Sequence, residues 1–154
     1  SIDLLTWKHR SSQLQFLFSS RQVKKTYIAD LEGDYKSRGL PQKGRLELPL
    51  SPDWLDRPRQ RVNLDSGKNA VTDYEFLSVS DGHSRVKFHP LTGRTHQLRV
   101  HAASDAALGM PIVGDRLYGH GDRLCLRLHL HAMTLEFTSP FDRRPCRFDS
   151  PLPF

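Results

Sequence analysis

The stretch that decides the fold is Phe88-His89-Pro90-Leu91-Thr92-Gly93-Arg94-Thr95-His96-Gln97-Leu98-Arg99-Val100-His101, which runs on to Gly114-Asp115-Arg116-Leu117-Tyr118-Gly119. Val86-Lys87-Phe88 alternates apolar and basic residues and reads as the end of a strand. Pro90 to Gly93 is turn chemistry. Thr92 is a candidate N-cap, so a helix is predicted from Arg94 to about Leu108. Leu98, Ala102 and Ala106 recur every four residues and would form its buried stripe. Gly109 suits a left-handed C-terminal position, and Pro111 forbids continuation. A second tight turn is expected at Gly114-Asp115.

Arg94, His96, Gln97 and Arg99 crowd beside the first turn, where loops commonly carry function. Basic groups at a helix N-terminus oppose the helix dipole, and an anionic partner would justify them. Arg94 and Arg99 can each hold a carboxylate or phosphate bidentately. Their five-residue spacing points them to different helix faces, so one is expected to line a site and the other to be structural or to touch a phosphate. The plain alternative is a solvated basic face.

Outward from this centre, Lys24 to Leu31 alternates as a strand, with Tyr27, Ala29 and Leu31 on one face. Gly33 to Gly39 is a polar turn, and Arg45 to Leu50 is another alternating strand. Ser51 to Ser66 is rich in Pro, Asp and Arg and has no periodicity, which suggests a functional or mobile connection. Within it Arg57, Arg59 and Arg61 are candidate phosphate contacts, and Trp54 could pin the loop. Ala70 to Val79 and Ser84 to Phe88 are strands joined by Asp81-Gly82, a strong hairpin signal. Leu124 to Phe137 is a strand, Ser139 to Asp142 a turn, and Cys146 to Phe148 a final strand. Near the start, Ile2 to Leu5 reads as a strand end and Lys8 to Ser20 as a helix, with Trp7 and Phe18 in the core. Strands dominate, so the expected class is α+β, with a mainly antiparallel, curved sheet and a few helices.

A chain of this length suits one domain, residues 1–154, burying roughly 70% of its unfolded surface. The net charge of +6 favours a polyanionic partner. Cys125 and Cys146 form neither a disulfide framework nor a Cys-rich metal site, and a reducing cytoplasm is the default expectation. No apolar run reaches membrane-spanning length. His129 and His131, with His96 and His101, lack the cysteine or carboxylate spacing of a metal centre, so no metal is expected.

The central stretch resembles the signature of the RluA-type RNA pseudouridine synthases. So do Lys24-Lys25-Thr26-Tyr27, Gly67-Lys68-x-Ala70-x-Thr72-x-Tyr74 and Arg127-Leu128-x-Leu130-His131, in the family's order. The resemblance implies isomerisation of uridine to pseudouridine in structured ribosomal or transfer RNA, without a cofactor, by a monomer. The reaction breaks a carbon–nitrogen bond, remakes a carbon–carbon bond on the same base, and requires the nucleotide to leave its stack. It needs a carboxylate as nucleophile or cation stabiliser.

In the family that carboxylate is the Asp of a His-Arg-Leu-Asp-x-x-Thr-Ser-Gly motif, which the chain lacks. Its place falls just before Ser1, so an N-terminal portion of the domain is expected to be missing. Asp3 mimics only the Asp-x-x-Thr spacing, and Asp115 is expected to hold its own turn. By resemblance, Tyr27 stacks on the flipped base and acts at C5, and Arg99 pairs with the catalytic Asp. Leu128 and Leu130 lie on the pocket-wall strand, and Arg94, His96 and Gln97 support RNA binding together with Arg57 and Arg59. The alternative is an RNA-binding relative that has lost the Asp and does not turn over.

Overall fold

The computed structural model describes residues 23–120 and 127–154. The expected strand end at Ile2–Leu5, the helix at Lys8–Ser20 with Trp7 and Phe18, and Cys125 lie outside the described residues.

Among the described residues, alternating apolar and polar residues build eight strands: β1 (Lys24–Glu32), β2 (Lys43–Glu47), β3 (Leu50–Pro52), β4 (Gln60–Val62), β5 (Val71–Ser80), β6 (His83–Pro90), β7 (Leu130–Thr138) and β8 (Pro145–Asp149). One helix, α1 (Gln97–Ala103), lies between β6 and β7 among the described residues. Six strands form a sheet in the order β2-β5-β6-β1-β7-β8, and β3 pairs with β4 in a small second sheet. Every pairing is antiparallel, as the mainly antiparallel expectation requires.

β1 lies inside the large sheet, with Tyr27 opposite Phe88 of β6 and Ala132 of β7. The β1–β7 register shifts between Thr26 and Tyr27. Such an irregularity bends a strand and re-aims its side chains. β5 and β6 form the predicted hairpin. Asp81 and Gly82 take φ of 53° and 74°, the left-handed pair that a two-residue turn between twisted strands requires.

The main core joins Ala29, Leu31, Phe76, Val86 and Phe88 of the sheet to Leu98 and Ala102 of α1 and to Met110 and Ile112 beyond it. Tyr35, placed in a polar turn by its neighbours, is buried instead and stacks on Phe76 at 4.1 Å between ring centroids. A second cluster of Leu50, Ala70 and Val100, with Val62 and Tyr118 packed against it, seats the small sheet on α1.

Three expectations need correction. The predicted strand from Arg45 to Leu50 divides: β2 ends at Glu47, and Leu50 opens β3 in the other sheet. Pro49 has no N–H to carry a ladder onward. The aperiodic segment from Ser51 to Ser66 contains the β3–β4 hairpin, and Trp54 at its tip is 67% exposed rather than a buried pin. The helix is only the seven residues of α1, not Arg94 to Leu108. His96, with a left-handed φ of 55°, is its N-cap, while Ser104 goes extended at the other end and Ala106 is exposed. Thr92 does not cap; its hydroxyl donates to Gln97 Oε1 at 2.6 Å and accepts the Val71 amide at 2.9 Å. Gly109 takes the predicted left-handed conformation at φ 64°, closing turns that follow the helix rather than the helix itself.

Candidate active site

A cleft of about 350 Å³ opens where β1, the β6–α1 turn and β7 meet, lined by Lys25, Tyr27, Pro90, Thr92, Gly93, Arg94, His96, Gln97, Leu98, Arg99 and Leu130. Tyr27, Arg94, His96, Gln97, Arg99 and Leu130, all candidates from the sequence, come together here from β1, the β6–α1 turn, α1 and β7. Lys25 was missed. It is two residues before Tyr27 on the same strand, so the period-two alternation places both on one face. The cleft's charged lining is cationic: Lys25, Arg94 and Arg99 face it, and none of the described residues lining it is acidic.

Arg99 is held from behind. Its Nε and Nη2 donate to Asp115 Oδ2 and Oδ1 at 2.9 and 2.7 Å. Asp115 is buried and also accepts the Leu117 and Tyr118 amides on Oδ1, at 2.9 and 3.1 Å. The expected turn-holding role of Asp115 is therefore present, and the same carboxylate clamps Arg99 as well. Burial pushes the Asp115 carboxyl up, but the hydrogen bonds from Arg99 and the two amides outweigh it and hold the group below the usual carboxylate range. Among the described residues, the bidentate pair uses two of the five guanidinium N–H groups, so Arg99 keeps donors for a ligand.

His96 is tied to Tyr118, which no feature of the sequence marks as a site residue. The Tyr118 hydroxyl accepts the Gln60 amide at 2.8 Å and lies 2.7 Å from His96 Nδ1. When the phenol donates its proton to Nδ1, neutral His96 carries its own proton on Nε2. Burial lowers the His96 pKa, and the charge of Arg99 lowers it further. A neutral imidazole in the cleft is the result.

Gln97 is placed differently from its neighbours. It is buried; Oε1 accepts from Thr92 Oγ1 and the Arg94 amide, and Nε2 donates to the Val71 carbonyl and Thr72 Oγ1. Both lone pairs and both N–H groups are engaged, so Gln97 shapes the turn and has nothing left for a ligand. The network continues inward. Thr72 Oγ1 lies 2.8 Å from His101 Nδ1, and His101 Nε2 donates to the Leu48 carbonyl at 3.0 Å. Burial pushes the His101 pKa down and keeps it neutral, although the Leu48 hydrogen bond opposes this.

Tyr27 lines the cleft with its phenol, whose pKa burial raises. At neutral pH it offers a flat ring and a hydroxyl, not a phenolate. Leu130 lines the cleft beside it, while Leu128 packs against the main core without lining it.

Arg57 and Arg59 are outside this cleft, on the hairpin tip. Arg57 lies over the Trp54 ring, with Cζ 4.1 Å from its centroid. Arg59 is structural: Nε donates to the Leu117 carbonyl at 2.8 Å, and Nη1 bonds Asp56. His129 and His131 diverge, to Asp30 Oδ2 at 3.1 Å and to the Ser150 carbonyl at 3.3 Å. Among the described residues no group of three or more His, Cys, Asp or Glu side chains could hold a metal ion.

The cleft is thus cationic and aromatic-walled, set beside a sheet hairpin and an Arg-bearing turn. The model of the RNA pseudouridylate synthase family matches residues 8–104. The dual-specificity RNA pseudouridine synthase RluA of Yersinia pestis is 42% identical over 144 residues, covering 92% of this chain and 66% of that protein. The protein of the same name from Escherichia coli K12 is 39% identical over 150 residues, covering 96% of this chain and 65% of that one. Human RNA pseudouridylate synthase domain containing 1 superposes with a TM-score of 0.76 at 31% identity, over 94% of this chain and 60% of that one. The chain belongs to the RNA pseudouridylate synthase family, and within it resembles the RluA proteins. It spans just under two thirds of the length of these curated relatives. Among the described residues no helix is long and apolar enough to cross a membrane.

Proposed function

We propose that the chain is the larger part of a catalytic domain that isomerises uridine to pseudouridine in structured RNA. The observation that supports this best is the convergence of Tyr27, Arg94, His96, Arg99 and Leu130 on one cleft in a chain of this family. The cleft has the volume for one nucleotide. Tyr27 and Leu130 offer the apolar faces against which a flipped uracil stacks. Lys25 and Arg94 supply positive charge for the flanking phosphates.

Arg99 is the anchor for the carboxylate that the reaction needs. Its guanidinium is permanently charged and oriented by Asp115, so an incoming carboxylate meets a fixed fork and stays ionised. Asp115 itself is not that carboxylate, because it is buried and spent on four hydrogen bonds. Tyr27 enters as a neutral phenol that positions the base; to take the C5 proton it must first give its own phenolic proton to solvent or to an oxygen of the substrate. Neutral His96, with its proton on Nε2, is a donor to phosphate or ribose oxygen. No cofactor is required by this chemistry. The same proposal carries RNA, ribosomal or transfer, as the partner of a monomeric, cytoplasmic enzyme.

The test is tritium release from transfer and ribosomal RNA transcripts labelled at uridine C5, run with this chain and with the product of its complete reading frame. Release by either, lost at least 100-fold in Tyr27→Phe while RNA affinity stays within threefold, is the expected result. RNA binding without release by both forms would leave a binding domain and overturn the catalytic reading.

A further inference from the structure

A second hollow, of about 570 Å³, lies beyond the cleft and shares Gly93 and Arg94 with it. Its walls are the β3–β4 hairpin and the β6–α1 turn, and its charged lining residues are Arg61, Lys68 and Arg94. None of the described residues lining it is acidic. Arg61 and Lys68 are exposed, and Arg94 is tethered to the shared rim by Nε donating to the Asn69 carbonyl at 2.9 Å. Trp54 also lines this hollow, from the hairpin tip, and is 67% exposed.

An indole held that far out of the core loses the burial that usually justifies a tryptophan. Here the surroundings hold it in place. The Asp53 amide donates to the Arg59 carbonyl at 2.8 Å, and the Asp56 amide to the Asp53 carbonyl at 3.1 Å. Arg59 and Tyr118 tie the base of the hairpin to the turn that also carries Asp115. Arg57 covers Trp54. The ring is thus a preorganised platform at one end of a cationic trough whose other end opens into the cleft.

We infer that this trough binds the single-stranded RNA next to the target nucleotide, with phosphates along Arg94, Lys68 and Arg61 and one unpaired base stacked on Trp54. This rests on the catalytic proposal only for the identity of the polymer; the trough is recognised by its own charge and aromatic geometry. Alternating cations and an exposed ring are the chemistry of sequence-tolerant single-strand binding. A rigid duplex cannot offer a base to the indole, so the platform selects loops over paired stems.

The chain has two tryptophans, Trp7 and Trp54, so Trp7→Phe leaves Trp54 as the only indole reporter. The probe is a 17-nucleotide RNA stem-loop with a seven-nucleotide loop, compared with a fully paired duplex of equal length. In the Trp7→Phe chain the stem-loop should quench tryptophan fluorescence, and the duplex should not. Trp54→Ala should weaken stem-loop affinity roughly tenfold, while Trp54→Phe should keep most of it. Arg61→Ala and Lys68→Ala should each lower the slope of log affinity against log salt by roughly one ion's worth. Turnover is not part of any of these readouts, so the trough can stand if no pseudouridine forms. Unquenched Trp54 at saturating stem-loop, with unchanged affinity in Trp54→Ala, would overturn it. If Trp54→Ala instead abolishes a concentration-dependent mass in sedimentation, the ring is a contact between copies and the RNA assignment is wrong.

Discussion

Asp115→Asn is the substitution that most directly probes how the site is held. The side chain of Asp115 is fully buried and that of Arg99 is 20% exposed. Asparagine at this position can keep Oδ1 for the Leu117 and Tyr118 amides, but its NH2 then faces the guanidinium, donor against donor. Removing one partner from a buried ion pair costs about 3–5 kcal/mol, and the partial hydration of Arg99 places this case near 3. For a chain of this size that is a drop in Tm of roughly 6–12 °C, at about 2–4 °C per kcal/mol. Thermal melts by circular dichroism on the wild type, Asp115→Asn, Arg99→Met and the double variant close a double-mutant cycle. A coupling of about 1.5 kcal/mol or more is expected, and single losses that add to within about 0.5 kcal/mol would refute the clamp. The pH dependence gives a second check. The folded pKa of Asp115 lies below its unfolded value, so its contribution is fully present above about pH 4 and is lost as pH falls through the folded pKa. The gap between wild type and Asp115→Asn should therefore hold at pH 5 and above and narrow only in stronger acid.

Other outcomes follow from the same geometry. Gln97→Leu keeps the volume but strips partners from Thr92, Thr72, the Arg94 amide and the Val71 carbonyl, and should cost about 2–4 kcal/mol in urea unfolding. Tyr118→Phe should cost about 1–2 kcal/mol and speed hydrogen exchange at the Gln60 amide, because the hairpin loses an anchor. Unaltered exchange there would show that Arg59 alone holds the hairpin. His101 stays neutral when folded, whereas the unfolded chain takes up its proton first, so its contribution to stability falls as pH drops below about 6.5. Its ring proton shifts should titrate below the ordinary histidine value, and a midpoint at or above that value would refute the buried-network assignment.

The sheet was legible where local chemistry and tertiary packing agree. Asp81-Gly82 could only make a tight hairpin, and the alternation from Lys24 to Glu32 could only make a half-buried strand. The helix was overestimated because periodicity counts apolar side chains, whereas Gln97 closes the turn with its own amide and Ser104 turns the backbone away. The hairpin at Ser51 to Ser66 was invisible because its strands are three residues each, too short for any period to register. Of the candidate site, the six residues that converge on the cleft were nameable from the central motif, the Tyr27 strand and the closing strand that carries Leu130. The Arg99–Asp115 clamp was not, since nothing local links residues sixteen apart across a turn. Tyr118 escaped for the same reason: its partners, Gln60 and His96, come from a hairpin and a helix cap that meet only in the folded chain.

Tyr27 borders not one hollow but two. The cleft with Arg99 lies on one side, and a mostly apolar recess of about 360 Å³, with Met133, Leu135 and Phe148 among its lining residues, on the other. The phenol, with Lys25 beside it, is thus a wall shared by both hollows. Trimming it, as in Tyr27→Ala, would take a wall from both hollows at once, so neither can be reshaped at this position without the other.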